Sequence, residues 1–282
     1  MNFKTLISTD QLAALLDHPN LVIIDCRFSL ADTSHGRTAY KNGHIPGAFY
    51  AHLDDDLSGK IIPGKTGRHP FPAVDDLVDL FSHWGIDEQV QVVAYDQNHG
   101  GIAARLWALL KWLGHDKVAV LDGGFNHWMA GKNRLATQLK ARASRVFTPR
   151  INTEFLVDVR FMEKHLEGSE YLYVDSRAAE RYRGENEPID PVAGHIPGAH
   201  SLPFLENLGK DGLFLKKKEL AKRFLSALQV HPSDRTVFYC GSGVTACHNL
   251  LAMHHLGLMA SKLYPGSWSE WIVDNKRRVS SK

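Results

Sequence analysis

"NGHIPGA" at positions 42–48 returns as "AGHIPGA" at 193–199. A heptapeptide repeated about 150 positions apart asks whether the chain is two copies of one domain, and the neighbouring sequence says that it is. "VIIDCR" (22–27) is matched by "LYVDSR" (172–177), "VQVVAYD" (90–96) by "RTVFYC" (235–240), and "VLDGGFNHW" (120–128) by "LYPGSWSEW" (263–271), in the same order in both halves. The chain has 282 residues, a length that suits two domains of the usual size. The reading is a first domain over 1–137, a linker over 138–150 where the sequence is polar and basic, and a second domain over 151–282.

Within each copy, short β-rich runs alternate with longer amphipathic stretches. "LVIIDCR", "VQVVAYD" and "KVAVLDG" read as strands ending in polar residues. "AARLWALLKWLG" (103–114) carries apolar residues at helical spacing and ends at Gly114, a C-cap residue. Such alternation predicts an α/β fold with a mainly parallel sheet covered on both faces. Sites in such folds lie beyond the carboxyl ends of strands. Asp96 and Cys240 both end a predicted strand.

Composition narrows the function. Net charge is +2, so nothing points to nucleic acid as a partner. There is no run of about 18 apolar residues, and therefore no expected membrane span. The N-terminal sequence has no basic, apolar and small-residue sequence of a secretory leader. Three cysteines, none in C-x-x-C spacing, argue against a disulfide framework and a zinc site. A reducing cytoplasm and a chain without metal or organic cofactor are the expectations. "HGGIAAR" (99–105) lacks the spacing of a dinucleotide loop.

"FYCGSGVTACHN" (238–249) carries the chemistry. An apolar strand ends in Cys240, a small Gly-rich loop follows, and then a helix. The thiolate is the reactive form of cysteine, and a helix N-terminus favours it. Inward-pointing backbone N–H groups of such a loop cradle an anion. A phosphatase loop would place an arginine six residues after the cysteine to hold phosphate, but that residue is Ala246. Sulfur transfer through a Cys240 persulfide fits a neutral loop. Cys26 and Cys247 read as small buried hydrophobes. The equivalent of Cys240 in the first copy is Asp96, which cannot hold a persulfide, so the first copy is expected to be catalytically silent, with Asp96 as a capping or turn residue.

The interval from Gly43 to Asp96 is 53 positions and that from Gly194 to Cys240 is 46. The excess falls in "DDDLSGKIIPGKTGRHPFP" (54–72). A long loop of this kind is often functional, and it is expected to reach the second copy's site.

The duplicated "GHIPGA", the strand-end "VDSR", the "CGSGVTACH" loop and the closing "GSWSEW" resemble the two-domain rhodanese superfamily over nearly the whole chain. The loop type is similar to that of its 3-mercaptopyruvate sulfurtransferases. The resemblance implies a five-stranded, mainly parallel sheet with helices on both sides in each half. It implies Cys240 as persulfide nucleophile, with Gly241, Gly243, Val244 and Thr245 forming the cradle. Mercaptopyruvate enzymes link a serine two residues after the cysteine to a histidine and an aspartate. These match Ser242, His69 and Asp54, with Asp55 or Asp56 as alternatives to Asp54. A family arginine that holds the substrate carboxylate matches Arg181. A second family arginine falls on Asp190, and Arg183 is the nearest substitute. The implied donor is 3-mercaptopyruvate, the alternative donor is thiosulfate, and a persulfide carrier fed by a protein partner is the reading of a different class. The implied acceptor is a thiol, such as thioredoxin or a small thiol, or cyanide. His44 and His195 occur in both copies and are expected to stabilise turns. Trp128, Trp268 and Trp271 are expected to pack, with Trp268 also a candidate to line the site.

Overall fold

The computed structural model describes residues 1–138, 142–228 and 231–281, so residues 139–141 of the polar junction 138–150 lie outside the described residues. The chain divides into two compact units. The first comprises Met1–Gly59, Phe71–Asn152 and Lys210–Phe214; the second comprises Lys60–Pro70, Thr153–Gly209 and Leu215–Lys282. The segment 60–70, which falls in sequence between β3 (Ala48–Tyr50) and β4 (Gln91–Tyr95) of the first unit, is thus part of the second unit.

In the first unit, strands β1 (Leu6–Ile7), β2 (Leu21–Asp25), β3 (Ala48–Tyr50), β4 (Gln91–Tyr95) and β5 (Val118–Leu121) form one sheet in the order β1-β5-β4-β2-β3. Every pairing is parallel. All residues of β2 and β4 are buried, which means that both faces of the sheet are covered, and this is why these strands read as apolar runs without alternation. The helix predicted over 103–114 runs from Gly101 to Trp112, and most of its residues are buried.

In the second unit, β6 (Leu172–Asp175), β7 (His200–Ser201), β8 (Thr236–Tyr239) and β9 (Lys262–Leu263) are parallel in the order β7-β6-β8-β9. The fifth position is held by a single parallel bridge from Leu156 to Leu263. Phe155 C=O accepts the Leu263 N–H at 2.9 Å, and the Val157 N–H donates to Leu263 C=O at 2.9 Å. The edge strand β1 occupies this position in the first unit. Among the described residues, no helix is long and apolar enough to cross a membrane.

The repeated heptapeptide has the same structural task in each unit. His44 stacks on Tyr40 at 4.0 Å and His195 on Tyr182 at 3.8 Å between ring centroids. His44 Nδ1–H donates to Tyr40 C=O at 2.8 Å, and His195 Nδ1–H to Tyr182 C=O at 2.7 Å. Each tyrosine hydroxyl donates at 2.6 Å to the carbonyl of the motif's final alanine, Ala48 or Ala199. Below this turn lies a buried ion pair, Asp25 with Arg27 at 2.7 Å and Asp175 with Arg177 at 2.6 Å. Each arginine also donates to the motif's glycine, Gly43 or Gly194. A buried charge is tolerable only with such complete pairing. The guanidinium groups lie over Phe125 and Trp268. Trp268 is therefore core: it is fully buried, and its Nε1–H donates to Val192 C=O at 2.9 Å. Trp128 and Trp271 are buried equivalents whose Nε1–H groups donate to Arg134 and Arg278 carbonyls.

Candidate functional site

Cys240 follows directly on β8 and precedes the helix Ala246–His255. It is buried, and its N–H donates to Ser267 Oγ at 3.0 Å. Ser267 has a left-handed backbone with φ +56°, a conformation that costs energy for a residue with a Cβ. Its hydroxyl offsets this by accepting from Cys240 and donating to Tyr264 C=O at 2.9 Å. The Trp268 and Ser269 N–H groups donate to the Cys240 and Gly241 carbonyls at 3.0 and 2.9 Å. The segment 264–269 is thus a rigid seat under the cysteine.

The loop itself is shaped by its glycines. Gly243 has φ +75°, and a Cβ there would stand 2.1 Å from the Pro265 carbonyl oxygen. Val244 is buried, Thr245 is half-buried, and Thr245 is the first non-helical residue before the helix. A strand-end loop of small residues can form a ring of inward-pointing N–H groups. The first unit shows what such a ring does with an anion. There the Asp96 carboxylate accepts from the N–H groups of Asn98 (3.2 Å), Gly100 (2.9 Å), Ile102 (2.9 Å) and Ala103 (3.3 Å). The strand-end residue of the first unit fills its own cradle.

The segment Lys60–Pro70 brings two side chains to the Cys240 loop within the second unit. Gly67 lies against the seat, where a Cβ would stand 2.6 Å from both Gly266 O and Ser269 Oγ. The next residue, Arg68, donates its N–H to Ser269 Oγ at 3.1 Å. His69 follows, buried, with Nδ1 2.8 Å from Ser242 Oγ. Pinning at Gly67 and Arg68 fixes where the imidazole falls.

Asp54 lies in the first unit. It sits in a turn where His52 Nδ1 accepts the N–H groups of Asp54 and Asp55 at 3.2 and 3.3 Å, while His52 Nε2–H donates to Thr33 C=O. Burial pushes the Asp54 carboxyl up, against the pull of His52 and with the push of Asp55. Asp55 pairs with Arg37 at 2.7 Å, and the Asp56 carboxylate accepts the His52 N–H at 2.6 Å.

Arg181 stands beside the loop. Its Nη2 and Nη1 atoms lie 3.4 and 3.5 Å from the place a Cβ on Gly241 would take. Nε and Nη2 grip the Glu187 carboxylate at 2.7–3.1 Å, and Nη2 also reaches Asp190 Oδ2 at 3.1 Å. Arg183 pairs instead with Glu185 at 2.8 Å, and its side chain is 44% exposed. Arg68 is the residue that sequence reasoning did not single out. It forms an ion pair with Asp190 Oδ1, and its Nη2 lies 3.1 Å from the same point above Gly241. The one signal available was its position next to His69 in "TGRHPFP".

The remaining cysteines are embedded. Burial first, and then the nearby Asp25, Asp96 and Asp56 charges, push the Cys26 thiol well up. Cys247 is buried with its Sγ 3.3 Å from Gly243 C=O.

Comparison with known proteins places the chain in one family. The family model for the rhodanese-like domain matches residues 8–131 and 151–274. The chain is 45% identical to a Pseudomonas aeruginosa protein named "Probable 3-mercaptopyruvate sulfurtransferase", over 100% of this chain and 99% of that one. It is 30% identical to the thiosulfate sulfurtransferase of Bos taurus, over 96% of this chain and 92% of that one. Among solved structures, the 3-mercaptopyruvate sulfurtransferase from Leishmania major superposes with a TM-score of 0.83 at 31% identity, covering 95% of this chain and 74% of that one.

Proposed function

The chain belongs to the rhodanese family, and from that premise we propose that it is a sulfurtransferase whose Cys240 takes sulfur from 3-mercaptopyruvate and passes it to a thiol. The Cys240 thiolate attacks the donor's thiol sulfur. The donor's carbon–sulfur bond breaks, and its electron pair leaves with the carbon as the enolate of pyruvate. The enolate takes up a proton, and Cys240 is left as a persulfide whose outer sulfur is the anion in the N–H ring. An acceptor thiolate, from thioredoxin or a small thiol, or cyanide, then attacks that outer sulfur, and the Cys240 thiolate returns. This is covalent catalysis in two half-reactions and gives ping-pong kinetics. A reducing compartment such as the cytoplasm suits it, because three free cysteines are present. The first unit takes no part in the covalent chemistry, since Asp96 stands where the nucleophile would be.

The observation that carries the choice of donor is the contact between His69 and Ser242 beside Cys240. Loss of an enolate calls for a proton at the departing carbon, and a hydroxyl backed by an imidazole can deliver one. Thiosulfate leaves as sulfite and needs none. The test compares kcat/KM for mercaptopyruvate and thiosulfate with a common acceptor. The proposal requires mercaptopyruvate to be the better donor by at least about tenfold. A preference for thiosulfate would reverse it. A stoichiometric persulfide without repeated turnover from either donor would mark a carrier instead.

A further inference from the structure

We propose that Arg105, buried in the helix Gly101–Trp112, is a positioning residue for the reaction at Cys240: it clasps the neck of the segment 60–70 and so sets where His69 falls. The inference rests on the relay reading of His69 for its catalytic consequence, but the clasp itself stands on geometry.

The segment leaves and rejoins the first unit through a narrow neck. Gly59 ends one side of it and Phe71 begins the other. A Cβ on Gly59 would stand 2.8 Å from Phe71 O and 3.1 Å from Pro72 Cα, so the two passes of the chain touch there. Arg105 holds both. Its Nε–H donates to Leu57 C=O at 3.2 Å, just before the neck. Its guanidinium carbon lies 3.9 Å from the centroid of the Phe71 ring, just after it. Phe71 packs in turn against Trp112 of the same helix, at 5.5 Å between ring centroids. Arg105 is 0% exposed. A guanidinium taken out of water is costly unless its donors and its face are occupied, and a carbonyl and an aromatic face are partners that its flat fork suits. Only Pro70 separates Phe71 from His69, and proline fixes φ. A shift at the Phe71 ring is therefore passed to the imidazole with little slack. The preceding residues of the segment are already pinned at Gly67 and Arg68, so the imidazole is held from both directions along the chain.

The second unit supplies the comparison. Gly100 and Gly243 precede the equivalent helices with the same left-handed backbone, φ +74° and +75°. Five residues further on stand Arg105 and His248, both 0% exposed. Asn207 Nδ2–H donates to His248 Nδ1 at 3.1 Å. Asn207 lies on the connection after β7, as Leu57 lies on the connection after β3. One helix position thus ties down the same connection in both units. In the second unit, where the interval is 46 positions and makes no excursion, an imidazole suffices. In the first, where it is 53 positions, the residue is an arginine, long enough to reach both sides of the neck.

The experiment uses the full chain, native and with Arg105→Met, Arg105→Lys and Phe71→Leu, each also in a His69→Ala background. Two readouts are taken: kcat and KM for mercaptopyruvate and for thiosulfate, and the rate of tryptic cutting after the exposed Lys60 and Lys65 relative to that after the exposed Lys216 and Lys217. Arg105→Met and Phe71→Leu should lower kcat for mercaptopyruvate by about tenfold to 10²-fold with KM nearly native, the size expected when a catalytic group is misplaced. Thiosulfate turnover should fall much less. Arg105→Lys, which keeps the charge and loses the flat fork, should recover part of the loss. In the His69→Ala background none of the three should lower kcat further, because Arg105 acts through the imidazole. Cutting after Lys60 and Lys65 should speed up while the reference cuts do not. A native mercaptopyruvate kcat in folded Arg105→Met and Phe71→Leu overturns the proposal. So does a further loss of the same size in the His69→Ala background, which marks a merely structural role. Should Arg105→Met fail to fold, Arg105→Lys and Phe71→Leu decide by the same measures. Should His69→Ala itself leave mercaptopyruvate turnover native, the relay reading falls; selective cutting after Lys60 and Lys65 then upholds the clasp alone, and a native cutting ratio removes it too.

Discussion

His69 Nδ1 and Ser242 Oγ lie 2.8 Å apart although 173 positions separate them in the chain. Both side chains are buried, and the serine is two residues from Cys240. A hydroxyl hydrogen-bonded to an imidazole can relay a proton that neither group would move as readily alone. His69→Ala and Ser242→Ala should each lower kcat for mercaptopyruvate by about 10²-fold or more, within the range for general acid–base catalysis. Thiosulfate turnover should fall much less. The double variant should be little worse than either single one, since both remove one relay. Equal losses with both donors would show that the pair merely supports the loop.

Cys240 is set apart from the other two cysteines by its surroundings rather than by exposure, since all three are buried. It alone follows a strand end and opens a loop of small residues before a helix. Cys240→Ser should abolish persulfide formation, read as a 32 Da mass increase on the intact protein after donor treatment, from a sulfur atom of about that mass. Cys26→Ser and Cys247→Ser should retain it. Cys26 is held protonated by burial and neighbouring carboxylates, and a serine at 247 can still donate to Gly243 C=O. A persulfide in folded Cys240→Ser would displace the nucleophile to another residue.

Much of this architecture is legible in the sequence because the repeat is. Two copies of a strand-end "D-x-R" and of "GHIPGA" are legible as a shared turn, and Asp25–Arg27 and Asp175–Arg177 form it. The Gly-rich loop after β8 is legible because only small residues permit its curvature. Arg68 is not legible, because its meaning depends on Asp190, 122 positions away, and on a segment that packs with the unit opposite to its place in sequence. Arg183, by contrast, looks like the nearest replacement cation when only sequence distance is counted. It follows the short helix Ala179–Tyr182 and turns to solvent with Glu185. The edge position of the second sheet is also hard to read, because one bridge at Leu156 replaces a full strand.

Asp96 holds four backbone N–H groups at 2.9–3.3 Å and is 2% exposed. Removing it leaves buried donors without an acceptor, which costs roughly 1–3 kcal/mol for one such group. Asp96→Ala should therefore lower the stability of the chain by about that amount or more in denaturant unfolding, while Asp96→Asn, which keeps one acceptor oxygen, should cost less. Neither should change the donor half-reaction at Cys240 more than a few-fold under conditions where the protein is folded. Loss of persulfide formation in a well-folded Asp96→Asn protein would give the first unit a direct part in catalysis.

Glu187 gives the arginine cluster one part of its pH dependence, beside Asp190, whose carboxyl burial pushes up. Burial pushes its carboxyl up, but the hydrogen bond from Arg181, the Asp190 N–H, the Arg181 charge and the Ile189 N–H together outweigh burial and hold it below the usual glutamate value. Arg177 pairs with it as well, at 3.2 Å. A carboxylate depressed on folding adds stability that is fully present above its unfolded pKa and is lost as pH falls through the folded one. With an unfolded value near 4.3, the stability advantage of the native chain over Glu187→Gln should be level from about pH 7 to about pH 5.5 and should shrink below about pH 4.5. Urea unfolding of both chains across that range measures it. The buried arginines make the sign secure: in Glu187→Gln they lose an anion, whereas in the native chain they lose it only on protonation. An advantage that grows as the solution is acidified would mean that burial, and not the arginines, governs the Glu187 carboxyl.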